Sequence, residues 1–98
     1  MGNLVLERDV ESYLATQTRR RGWGCEKFAP WSDNGMPDRL ILLPNGRCWW
    51  VELKTKGGRL SHIQKYTHRA LIQMGQNVSV VWPKQQADEL LAEIEKTL

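Results

Sequence analysis

Cysteine is scarce in this chain: only Cys25 and Cys48 occur in 98 residues, far apart and without partners at metal-ligand spacing. That argues against a disulfide framework and against a zinc site. Cys48 alternates with Trp49 and reads as a small strand or core residue. No apolar run approaches the length of a membrane span, and the N-terminal stretch lacks the core of a signal peptide. A soluble, intracellular protein is expected. Internal repeats, low-complexity segments and linkers are also lacking, so residues 1–98 are expected to form one domain. A chain of this length buries only about 60 to 65% of its unfolded surface, so the core is modest and oligomerisation would help it.

Acids are few outside the C-terminal end. The formal net charge is +3, but Asp88 to Leu98 hold four acids and one base, which leaves thirteen bases against seven acids in residues 1–87. A basic face of this kind is consistent with a polyanionic partner.

The basic part contains the stretch that organises the chain, Gly35 to Arg59. Asp38 to Leu43 and Arg47 to Lys54 are apolar runs bounded by Pro and Gly, the pattern of paired strands. If Pro44, Asn45 and Gly46 form a three-residue loop, Leu43 faces Arg47. Leu42 then lies opposite Cys48, Leu40 opposite Trp50, and Asp38 opposite Glu52. Two carboxylates facing across an antiparallel pair repel unless something neutralises them, and a divalent cation would do so. Strand alternation puts Glu52 and Lys54 on one face, with Trp49, Val51 and Leu53 on the other. Asp38, Glu52 and Lys54 therefore form a charged cluster on an apolar hairpin. Read singly, each is an ordinary turn or strand-face residue.

Around this hairpin, Leu4 to Arg21 has helical periodicity, with Leu6, Val10, Tyr13 and Leu14 on one stripe. Glu7 sits at the edge of that stripe and Glu11 further round toward solvent. Glu7 is either a first-turn acid favoured by the helix dipole or a contributor to a site beneath the helix. Arg19, Arg20 and Arg21 close the helix, as caps or as phosphate contacts. Cys25 to Ala29 suits a first strand, and Trp31, in the loop that follows, either packs on the core or stacks on an unpaired base.

Beyond Lys54, Lys56 and Arg59 lie in a Gly-rich loop able to follow a phosphate backbone. Ser61 to Gln64 fits a capping box, which alone accounts for Gln64. Ile63, Thr67, Ala70, Leu71 and Met74 are expected to be the buried stripe of the helix, with Lys65, His68 and Arg69 on its outer basic face. Val78 to Trp82 reads as a strand, and Ala87, Leu90, Leu91, Ile94 and Leu98 as the stripe of a terminal helix. The resulting order, α, β, β, β, α, β, α, predicts an α/β fold with one sheet flanked by helices.

Three motifs in this order, Gly35-Met36-Pro37-Asp38, Glu52-Leu53-Lys54 and Arg59-Leu60-Ser61-His62-Ile63-Gln64, resemble the virus-type replication-repair nuclease (VRR-NUC) branch of the PD-(D/E)xK nucleases. The resemblance covers nearly all of the chain up to Val81. It implies a restriction-endonuclease-like αβββαβ core with a mixed sheet, followed by a C-terminal helix. It also implies hydrolysis of DNA phosphodiesters with Mg²⁺, or Mn²⁺, held by Asp38, Glu52, the carbonyl of Leu53 and Glu7. Glu7 matches the family's helix acid better than Glu11.

By the same resemblance Lys54 is catalytic and Gln64 joins the site, where the two roles of Gln64 could compete. Lys56, Arg59, Lys65, Arg69 and Arg19 to Arg21 would contact DNA. Short members of this type are typically phage or bacterial and act as homodimers on branched DNA, in a bacterial or phage-infected cytoplasm. Holliday-junction resolution is the expected activity, with flap or nick cleavage next. The rivals are a catalytically silent nucleic-acid-binding module and an assembly factor using Trp49 and Trp82 as an interface.

Overall fold

The computed structural model describes residues 7–27, 35–55, 57–82 and 84–98. Helix α1 (Glu7–Arg20) has Glu7 and Asp9 in its first turn and Arg19 and Arg20 in its last, the charge order that the helix dipole favours. Its inward residues Val10, Leu14 and Thr18 are buried, at the spacing of four that defines one helix face. Gly22, at φ +80°, ends the helix. Strands β1 (Gly24–Lys27), β2 (Arg39–Leu42) and β3 (Cys48–Leu53) follow, then helix α2 (His62–Gln73), strand β4 (Asn77–Val81) and helix α3 (Lys84–Glu95).

The four strands form one sheet in the order β1-β2-β3-β4. β1, β2 and β3 are antiparallel neighbours, while β4 runs parallel to β3 through the α2 crossover. The sheet is therefore mixed, as expected. The first strand begins one residue earlier than predicted, at Gly24, and the predicted Phe28 and Ala29 lie outside the described residues; the fourth is shifted one residue toward the N-terminus, so that Trp82 lies just beyond it. Leu6 and Trp31 lie outside the described residues.

The hairpin register is the one the turn dictates. Leu40 pairs with Trp50 and Leu42 with Cys48, and Leu43 N–H donates to the Arg47 carbonyl at 2.9 Å. Gly46 closes the turn at φ +83°, the left-handed position that a three-residue hairpin loop requires. Alternation on β3 then separates two environments. Trp49, Val51 and Leu53 are buried with Val10 and Leu14 of α1 and with Ala87, Leu90, Leu91 and Ile94 of α3 in one apolar cluster. Leu98 falls past the end of α3 and is half exposed, so it does not extend that stripe.

Glu52 points away from this cluster, toward α2, whose packing differs from the expected stripe. On α2 only Leu71 and His68 are buried, while Ile63 and the C-cap residue Met74 are exposed at 44% and 68%. The helix is rotated so that Gln64, His68 and Leu71, three and four residues apart, face the sheet. Polar contacts to Glu52, described below, outweigh the apolar periodicity. The capping box at Ser61 is formed, and Gly75, at φ +84°, ends the helix with the paired bonds Gln76 N–H to Leu71 O and Gly75 N–H to Ile72 O.

Gly35 fixes how close α2 comes to the hairpin. It has φ +78°, and a Cβ there would lie 2.4 Å from the Ile63 carbonyl oxygen and 2.7 Å from Thr67 Oγ1. Any side chain would push the loop that leads to Asp38 away from the first turns of α2. Gly35→Ala is therefore expected to lower the unfolding free energy by about 2 kcal/mol or more, from strained backbone together with overlap against main chain. Urea unfolding monitored by circular dichroism checks this; a loss below about 0.5 kcal/mol, the range of a neutral surface change, would contradict it.

Candidate active site

Asp38 stands one residue before β2 and Glu52 one residue before the end of β3, so antiparallel pairing brings them together at the open end of the hairpin. Asp38 lies near enough to raise the pKa of Glu52 by hydrogen bonding and by charge, and its Oδ2 accepts from Leu53 N–H at 2.9 Å. The aspartate thus grips the main chain beside the glutamate it faces. Lys54 N–H donates to the Val81 carbonyl at 2.9 Å, which continues the parallel ladder and holds the lysine next to the pair.

Glu52 is 2% exposed. Burial above all, then the hydrogen bond and charge of Asp38, push its carboxyl up to about 8; Glu7 adds to this and Lys54 opposes it. Without a cation, these surroundings favour the protonated form of Glu52. Helix α2 supplies the remaining neighbours. Gln64 Nε2 donates to Glu52 Oε2 at 3.3 Å, while Gln64 Oε1 accepts from Ser61 N–H at 2.9 Å. The cap and the site use opposite ends of one amide, so the two roles of Gln64 coexist.

His68 was expected on the outer basic face. It is instead buried, with Nε2 3.3 Å from Glu52 Oε1. That distance is within hydrogen-bond range, but the alignment is not, and both atoms lack a hydrogen-bond partner. Burial lowers the pKa of His68, with Lys54 acting in the same direction and Asp38 against it. This is the residue that sequence reasoning missed. Its signal was its position four residues after Gln64, on the same helix face.

The structure separates the two candidate acids of α1. Glu11 accepts from Arg39 Nε at 2.7 Å and lies 3.9 Å from Lys27 Nζ, so it is a part-buried structural partner of the sheet. Glu7 is raised by partial burial and by the charge of Asp38, against Lys54, which places it at the margin of the acidic pair. Among the described residues no three His, Cys, Asp or Glu side chains already converge as a ligand set. The cluster is a pair of carboxyls with Glu7 and Lys54 within electrostatic reach.

Of the proposed DNA contacts, Arg59 is exposed and Lys65 and Arg69 project from the outer face of α2. Lys56 lies outside the described residues. Arg19 and Arg20 are exposed at the far end of α1, about 20 Å from Glu7 at 1.5 Å per residue. Arg21 is already engaged: its Nε is 3.2 Å from Glu95 Oε2, its Nη1 donates to the Gln17 carbonyl, and its guanidinium lies over Trp23. Trp49 is buried and donates to Ser79 Oγ, and Trp82 donates to the Gly58 carbonyl. Both indoles serve internal packing, so neither forms the free interface considered above.

No family model matches the chain. A solved structure described as a "VRR_NUC domain" superimposes with a TM-score of 0.81 at 30% identity, covering 88% of this chain and 94% of that one. The chain belongs to the VRR-NUC family. It is also 35% identical over 78 residues to a phage protein named "Putative nuclease p44" from Acyrthosiphon pisum secondary endosymbiont phage 1, covering 80% of this chain and 84% of that protein. Among the described residues of this VRR-NUC domain, no helix is long and apolar enough to cross a membrane.

The raised Glu52 has a direct consequence for stability. Its carboxyl titrates near 4.5 when unfolded and near 8 when folded, so between those values the folded state binds more protons. Stability then falls as pH rises through that window. Without added metal, Glu52→Gln is expected to raise the melting temperature at pH 8 and to change it little at pH 4.5. Thermal melts across this range test it; a variant less stable than wild type at pH 8 would show that the ionised carboxylate is favoured by the fold.

Proposed function

We propose that this VRR-NUC domain, residues 1–98, is a metal-dependent endonuclease that hydrolyses phosphodiester bonds in branched DNA. It acts as a homodimer, with Holliday junctions as the first substrate and flaps or nicks as the alternative. The observation that supports this most is Glu52 itself: a buried carboxyl with one oxygen unpartnered, held against a second carboxyl. Burying such a group is costly unless it is paired or bound to a metal. A hard divalent ion that prefers oxygen ligands fits this donor set, and it would take the place of the proton that burial favours on Glu52.

Asp38 and Glu52 would hold Mg²⁺ or Mn²⁺, together with the carbonyl of Leu53 and with Glu7 at the margin. When bound, such an ion lowers the pKa of a water molecule and offsets charge on the scissile phosphate. Asp38, through Leu53 N–H, keeps the end of β3 in register with its own carboxyl. Gln64 holds Glu52 Oε2 from the opposite side. The ammonium of Lys54 orients the attacking water or stabilises negative charge developing on the phosphate. Cleavage leaves 5′-phosphate and 3′-hydroxyl ends.

Lys65 and Arg69 on α2, with the exposed Arg59 before it, supply phosphate contacts, which position DNA without reading its sequence; Lys56 is assigned the same role from its place in the sequence. Arg19 and Arg20 meet only DNA that extends along α1. Two sites in a dimer match the two strands cut symmetrically at a four-way junction.

One observation favours a second reading, that of a catalytically silent DNA-binding module: no three ligating side chains converge among the described residues. The two readings part on Lys54→Ala. With four-way, flap and linear DNA in parallel, and Mg²⁺, Mn²⁺ or chelator present, the nuclease should cut branched DNA only with metal. Lys54→Ala should bind the junction nearly as well as wild type while cleavage falls by about 10²-fold or more. Cleavage retained by the variant, or no cleavage by wild type with either metal, would favour the silent module.

A further inference from the structure

His68 has no part in the chemistry assigned above, yet its position is unusual. Its side chain is 6% exposed and that of Glu52 is 2% exposed, and the atoms that face each other, Nε2 and Oε1, are 3.3 Å apart. Both are buried without a partner. An unsatisfied buried polar atom destabilises by roughly 1 to 3 kcal/mol, so an apolar side chain filling the same volume would be the simpler way to pack α2 on the sheet. A histidine here serves the carboxylate better than it serves the core.

The two oxygens of Glu52 face different donors on one helix. Oε2 accepts from Gln64 Nε2, and Oε1 faces His68, one turn further along. Gln64 is itself locked by the capping box at Ser61, so α2 forms a rigid two-point cradle behind the acid. We propose that His68 is a positioning residue that, from 3.3 Å, turns its Nε2–H onto Glu52 Oε1 when the carboxylate receives a divalent cation, and so sets the orientation of that carboxylate. The inference rests on the metal-dependent reading above. Ligand carboxylates and imidazoles held by an outer hydrogen-bond partner lose about 10- to 100-fold in metal affinity when that partner is removed.

The test uses the full chain and the metals alone. Mn²⁺ and Mg²⁺ are titrated calorimetrically into wild type, His68→Ala and His68→Gln, with melts in chelator to establish that each variant is folded. His68→Ala should weaken both metals by about 10- to 100-fold. His68→Gln, whose amide places a donor at similar reach, should recover most of that loss. Junction affinity in chelator should stay within about twofold of wild type, since a buried side chain makes no phosphate contact.

Equal metal affinity in wild type and His68→Ala would overturn the positioning role, and so would a glutamine variant as weak as the alanine one. A loss confined to Mn²⁺ would instead identify His68 as a direct nitrogen ligand, again overturning it. If neither variant folds, ¹⁵N NMR of wild type with Mg²⁺ decides: a proton on Nε2 is expected, and a bare Nε2 with the proton on Nδ1 contradicts the proposal. Wild type that binds neither metal would bring down the metal-dependent reading itself, whatever His68 does.

Discussion

A carboxyl group buried on a β-strand is the constraint around which this VRR-NUC domain is built. Glu52 sits at the open end of a hairpin, 2% exposed, facing Asp38 and flanked by Leu53 on the apolar face and Lys54 on its own. Its neighbours on the opposite strand face, Trp49, Val51 and Leu53, belong to the core under α1 and α3. The strand cannot shift without exposing that core, so the acid cannot leave its place. Tight packing on one face holds an otherwise unfavourable group on the other.

The helix over Glu52 is adapted to the same constraint. α2 gives up the burial of Ile63 and Met74 and turns Gln64 and His68 inward. Gly35 lets the loop before Asp38 pass within van der Waals reach of the first turns of α2, so the two acids and the two α2 side chains form one packed unit. Glu11 and Arg39 pin α1 to the sheet, which leaves Glu7, one turn earlier, beside the acids. The geometry of the pair therefore depends on all three surrounding segments.

Local chemistry in the sequence was enough to define the hairpin. Pro44-Asn45-Gly46 fixes the register, and the register alone sets Asp38 against Glu52 and both away from the Val51 and Leu53 face. The stripes of α1 and α3 were equally readable, because apolar contacts alone decide which way those helices turn. α2 was not, because its orientation is decided by polar contacts that its periodicity does not reveal: a capping glutamine whose free amide reaches the site, and a histidine that looked like surface. The choice between Glu7 and Glu11 was also beyond helical spacing, since it depends on where Arg39 emerges from a different strand. Three consecutive arginines looked alike in sequence, but only the third meets Glu95 and Trp23. Long-range pairings of this kind have no local signature.

We propose that the Asp38–Glu52 pair is a cation site in which a proton on Glu52 takes the place of the ion when metal is absent. Anomalous diffraction from crystals grown with Mn²⁺ at about pH 8, where metal competes with fewer protons than at neutral pH, tests this most directly. An anomalous peak in contact with both carboxylates is expected. Crystals in which Mn²⁺ binds only elsewhere, or in which the two carboxyls still hydrogen-bond each other at saturating Mn²⁺, would contradict it.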